Sequence, residues 1–156
     1  MEKTSKIFLL LLFSLSFLSC SLQPEPIVYG QDACQYCKMT IVSKAHSAQI
    51  VTSKGKQFKY DAIECLVKDI LEYQNENDLA KVMVADYSDP GTMLEVNTAV
   101  FIISDAINSP MGANLAALKN ADDFSDPGKS AVFKWQELKD HFLLEDSISL
   151  KDKSAE

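Results

Sequence analysis

From residue 7 to 18 the chain is apolar apart from Ser14 and Ser16, and Lys3 and Lys6 stand before that run. This is the layout of a secretory signal peptide, because the apolar run falls short of the roughly 20 residues a membrane span needs. After a polar stretch at 21–26 that holds two prolines, apolar and polar positions begin to follow regular periods. Residues 39–42, 47–52 and 57–60 predict strands, the last two separated by the turn-forming Ser53-Lys54-Gly55-Lys56. Asp61 predicts a helix cap, and Ile63, Leu66, Val67, Ile70 and Leu71 repeat at the 3.6-residue period of an amphipathic helix ending near Tyr73. Strands are predicted at 81–85 and 99–103, with Asp89-Pro90-Gly91 breaking the chain between them. Beyond Ser109-Pro110-Met111-Gly112 the pattern starts again: a strand at 114–118, a turn at Asp126-Pro127-Gly128, a strand at 131–135 and a helix at 136–144. Phe58-Lys59-Tyr60 before the first helix is echoed by Phe133-Lys134-Trp135 before the second, so an α+β class with two related ββα-type halves is expected.

The two ends carry a different signal. Ser19 directly before Cys20 resembles the lipobox of bacterial lipoproteins, in which cleavage leaves a lipidated N-terminal cysteine. On that reading, 1–19 is the signal peptide, 20–29 a lipidated N-terminus and tether, and 30–145 one domain whose halves run about 30–103 and 104–145. The last stretch, 146–156, mixes charge with serine and reads as a disordered tail. The expected location is the bacterial cell envelope, anchored to a membrane and facing the periplasm or the exterior. Without residues 1–19 the chain keeps 13 lysines against 21 acids and no arginine, a formal charge of −8. That balance speaks against nucleic acid as a partner, since basic patches dominate such binding.

Candidate chemistry concentrates in Cys34-Gln35-Tyr36-Cys37-Lys38-Met39, two thiols and a thioether within six residues. Thiolate and thioether suit a soft ion such as Cu(I), whereas zinc seldom recruits methionine. Cys37 and Met39 are therefore ligand candidates, with Cys34 either a further ligand or a disulfide partner of Cys37. Met111 lies between Pro110 and Gly112, in a turn and not in an apolar stripe, which makes it a ligand candidate too. His46 follows the sulfur cluster closely enough to fold back on it, although a polar surface histidine is the plainer reading. Cys65 falls off the Ile63, Val67 and Ile70 face of its helix; a small buried thiol explains it, and so does a place facing the metal site. Cys34, Cys37 and Cys65 are also the possible redox residues. Met83, Met93 and Trp135 are assigned to packing.

Several of these residues, in order, resemble the NosL family of copper-binding lipoproteins of nitrous oxide reductase assembly. The likeness spans about residues 30–140 and rests on Cys34-x-x-Cys37-x-Met39 and on Phe58-x-Tyr60-Asp61 leading into Ile63-Glu64-Cys65-Leu66. Asp86-Tyr87 and Ser109-Pro110-Met111-Gly112 with Leu115-Ala116-Ala117 complete it. Lys38 and Glu64 stand where family members commonly have glycine. The resemblance implies a pair of ββαβ units, Cu(I) as the bound metal, no enzymatic activity, and delivery of copper to nitrous oxide reductase or its copper-site assembly machinery. Two rival functions remain open. A thiol–disulfide oxidoreductase would use Cys34 and Cys37, but needs that pair at a helix start. A structural zinc site would use Cys34, Cys37, Cys65 and His46, and leaves Met39 and Met111 without a role.

Overall fold

The computed structural model describes residues 22–125 and 128–153. The proposed signal peptide and Cys20 lie outside the described residues. The elements are β1 (Ala48–Thr52), β2 (Gln57–Tyr60), α1 (Ile63–Tyr73), β3 (Leu79–Ala85), β4 (Met93–Glu95), β5 (Val100–Ser104), β6 (Leu115–Leu118), β7 (Ser130–Phe133) and α2 (Trp135–Lys153). They form two antiparallel sheets, one in the order β2-β1-β3-β4 and one in the order β6-β5-β7. Each sheet has its first strand in chain order at the centre, flanked by later ones, which is the common plan of the two halves. An α+β fold of two antiparallel sheets and two α-helices is thus observed among the described residues, with the element order ββαββ in the first half and βββα in the second, so the expected ββα-type order is not repeated element for element.

Hydrophobic periodicity explains the first half directly. In β1, Ala48 pairs with Tyr60 and Val84, and Ile50 with Phe58 and Val82, so one face of the sheet is lined with apolar side chains. In α1, Ile63, Leu66, Val67 and Ile70 fall on one stripe and are buried. That stripe packs α1 against β1, β2, β6 and α2, joining the halves through one core. The sheets also meet at the Asp86–Ala117 bridge, where the Tyr87 N–H donates to the Ala117 carbonyl at 2.8 Å. Two of the motifs that carried the family likeness are therefore a seam between sheets.

Five expectations need correction. Residues 39–42 form no strand: Thr40 alone bridges, to Ala33, while Met39 and Val42 are exposed. Asp61 does not cap α1; Ala62 holds the cap position, and the Asp61 carboxylate instead accepts the Val42 N–H at 3.0 Å. The halves divide between β4 and β5, not near 103, because the buried strand β5 is the centre of the second sheet. Within the tether, the Gln23 and Glu25 carbonyls accept from Gln57 and Gln49 at 3.2 and 3.0 Å, and the Pro26 carbonyl from Lys59 at 2.9 Å. Strand side chains supply those partners, so local composition does not reveal the docking. Finally, the tail is helical through Lys153, since extending an already packed helix needs no new nucleus. The strand β4, missed in the sequence, is three residues held by pairing with β3. No helix among the described residues is long and apolar enough to cross a membrane.

Candidate metal centre

The sulfur site is built by a tight loop folded over the start of α1. The Cys34 N–H donates to the Met39 carbonyl at 2.8 Å and the Lys38 N–H back to the Cys34 carbonyl at 3.1 Å, closing the loop on itself. The Gln35 N–H donates to the Lys59 carbonyl at 2.8 Å, seating the loop on β2. Below it, the Lys59 ammonium pairs with Asp32 at 2.7 Å. Where the loop leaves, the Asp61 carboxylate holds Val42. The loop is thereby fixed at both ends to the strand and turn that lead into α1.

This arrangement places the sulfurs of Cys34, Cys37 and Cys65 within 4.8 Å of one another, and all three cysteines are free. Three sulfurs around one ion at bonds of about 2.3 Å stand about 4 Å apart, so small side-chain adjustments suffice for a trigonal site. Cys34 and Cys65 are buried, whereas Cys37 is half-buried. The Cys65 thiol, hydrogen-bonded to the Cys34 sulfur, holds the Cys34 thiol well below the ordinary range. The same contact, with burial added, pushes Cys65 up, and burial pushes Cys37 up. Cys34 is thus the most readily deprotonated of the three thiols, and an entering cation displaces the protons that remain.

Met39 and Met111 are among the exposed large apolar side chains, at 55% and 43%. Met39 lies on the thiol loop itself. Met111 comes from the second half, and lines with Cys65, Glu64 and Tyr36 a cavity of about 200 Å³. The structure does not bring His46 into the thiol group. Its Nδ1 is 2.8 Å from the Ser43 hydroxyl, its ring meets Tyr87 edge-on at 5.4 Å, and burial lowers its pKa. The four-ligand zinc set is thus not assembled. His141, on α2, stacks on Phe133 at 5.0 Å and is not part of the thiol group. The residue undervalued in the sequence is Cys65; its departure from the apolar face of α1 was the signal available. No helix follows Cys37, so the oxidoreductase reading lacks the helix start that would activate the pair.

Lys38 adopts φ 65°, a left-handed conformation that costs a side-chain-bearing residue about 1–2 kcal/mol. Its ammonium donates to the Gln35 carbonyl, offsetting part of that cost. Lys38→Gly is expected to raise stability by about 1 kcal/mol, read as a higher midpoint in thermal or urea unfolding. A lower midpoint would mean that the ammonium contact outweighs the strain.

Fold and site together define a class: a small two-sheet α+β protein that gathers three free thiols and exposes two thioethers, a donor set suited to a thiophilic ion. The chain belongs to the NosL family, which matches residues 27–143. No curated protein matches it in sequence. Among solved structures it is similar to the crystal structure of the copper chaperone NosL from Shewanella denitrificans, with a TM-score of 0.64 and 16% identity. The match covers 75% of this chain and 96% of that one, and at this identity it concerns the fold.

Proposed function

We propose that the protein carries Cu(I) on its sulfur cluster and hands it to a copper-requiring acceptor, nitrous oxide reductase or the machinery that assembles its copper site. The observation that carries this reading is the convergence of three free thiols, with exposed Met39 on their loop and exposed Met111 on a cavity that Cys65 also lines. Buried thiols Cys34 and Cys65 shield the ion from water on the inner side. Cys37, half-buried, is the sulfur an acceptor reaches first, and Met39 and Met111 offer weak, soft ligands on the outer side. A carrier needs that asymmetry, because an incoming ligand replaces the outer contacts one at a time without opening the core. The protein holds and releases an ion and transforms no substrate. A lipid on Cys20 would keep it at the membrane surface of the cell envelope and raise its effective concentration near an anchored acceptor.

The test is an anaerobic titration of the domain beginning near residue 22 with Cu(I) and Zn(II) under competing chelators. One Cu(I) is expected to bind, in preference to Zn(II), with sulfur dominating its X-ray absorption. Tighter binding of zinc, or thiol–disulfide exchange activity with no copper retained, would replace this reading with one of its rivals.

A further inference from the structure

Glu64 lies in the first turn of α1, next to Cys65, yet it is only 2% exposed. One carboxylate oxygen, Oε1, accepts both the Ser109 hydroxyl and the Ala113 N–H, the latter at 3.3 Å. The other, Oε2, is buried without a hydrogen-bond partner. Ser109 and Ala113 are the two ends of the turn that carries Met111, and the turn is closed on itself by the Gly112 N–H donating to the Ser109 carbonyl at 3.1 Å. Gly112 has φ +81°, which suits glycine at this bend. A buried carboxylate with one oxygen unpaired is costly, so packing of α1 alone is a poor account of it. What it supplies is one acceptor oxygen that takes a hydroxyl and an amide at once, tying both ends of the turn to the start of α1.

We infer that Glu64 is a positioning residue: it clamps the 109–113 turn of the second half onto the start of α1 and so holds the Met111 thioether at the cavity that Cys65 also lines. The inference rests on the copper-carrier reading for its consequence, though not for its geometry. Glu64 touches no ion; it acts through Met111. The loss of Glu64 therefore has to look like the loss of Met111.

The test measures Cu(I) affinity by chelator competition in the wild type, Glu64→Ala, Glu64→Gln, Met111→Leu and the double variant E64A/M111L. Glu64→Ala is expected to weaken binding about tenfold or more, as loss of a contact made of two hydrogen bonds implies. Glu64→Gln, which keeps an acceptor oxygen at the same place, restores most of the affinity. In the Met111→Leu background, Glu64→Ala costs nothing further, because coupled residues are not additive. X-ray absorption of Cu(I)-loaded Glu64→Ala shows one sulfur fewer than the wild type. Losses that add in the double variant, or a Glu64→Gln as weak as Glu64→Ala, would overturn the clamp. If the wild type binds no Cu(I), the carrier reading fails, and the clamp is judged separately by hydrogen exchange. There the Ala113 amide is protected in the wild type and in Glu64→Gln, and exchanges about tenfold faster or more in Glu64→Ala. Unchanged exchange would overturn it.

Discussion

Replacing Cys37 with serine is expected to lower Cu(I) affinity by more than about a hundredfold while leaving the fold intact. The lower bound comes from metal sites in which even the outer partners of a ligand cost ten- to a hundredfold when removed, so a ligand itself must cost more. Cys37 is singled out over Cys34 and Cys65 by its exposure, since it is the one thiol of the three that solvent, chelator or acceptor can reach. It is also the link between the buried pair and Met39 on the same loop. A hydroxyl of similar size, half-exposed, disturbs the apo protein little, so its unfolding midpoint should stay within the range of ordinary surface changes, about 0.5 kcal/mol. Chelator competition for Cu(I) and urea unfolding of the apo form separate the two effects. An affinity within tenfold of the wild type would remove Cys37 from the site and leave the buried thiols without a route to an acceptor.

The same residues show where sequence reasoning reaches and where it stops. β2 was legible to both ends and α1 to its C-terminal end because a two-residue or 3.6-residue period is imposed by burial on one face, and Ile63, Leu66, Val67 and Ile70 carry that period unbroken. Residues 39–42 misled for the same reason. Their apolar, branched content resembles a strand, but Met39 and Val42 are displayed at the surface and only Thr40 makes a strand-type bridge. The soft-ligand character of Cys34, Cys37 and Met39 was visible in six consecutive residues. The contribution of Cys65 depended on a loop 30 residues earlier folding over the helix start, and helical spacing alone could say only that it left the apolar stripe. Glu64 gave less warning still. A glutamate at the start of a helix is ordinary on helix-dipole grounds, and nothing local shows that its carboxylate is buried against Ser109 and Ala113, 45 and 49 residues away.

Phe101→Ala is expected to be the most damaging single change to stability, at about 3–5 kcal/mol. Phe101 is fully buried on β5, the central strand of its sheet, where it pairs with Ala117 on β6 and Phe133 on β7. Its ring stands 5.6 Å from Trp135 at the start of α2, so one side chain ties both neighbouring strands to the second helix. Removing the ring leaves a cavity that a sheet paired on both sides cannot close by shifting, which puts the cost at the upper end of large-to-small changes. Against a typical total of about 5–15 kcal/mol, such a loss takes a large share of the stability. The consequence reaches the sulfur site, because β6 follows directly on the turn that presents Met111, and that turn is held only if the second half is folded. Copper should oppose the loss by mass action: free Cu(I) at about a hundred times its dissociation constant adds about 2.7 kcal/mol, which recovers part of the deficit and not all of it. Urea unfolding of the apo variant should show a lower midpoint at unchanged slope, with partial recovery on Cu(I) loading. A loss below about 1 kcal/mol would mean that the second half repacks around the missing ring and that Phe101 does not organise it.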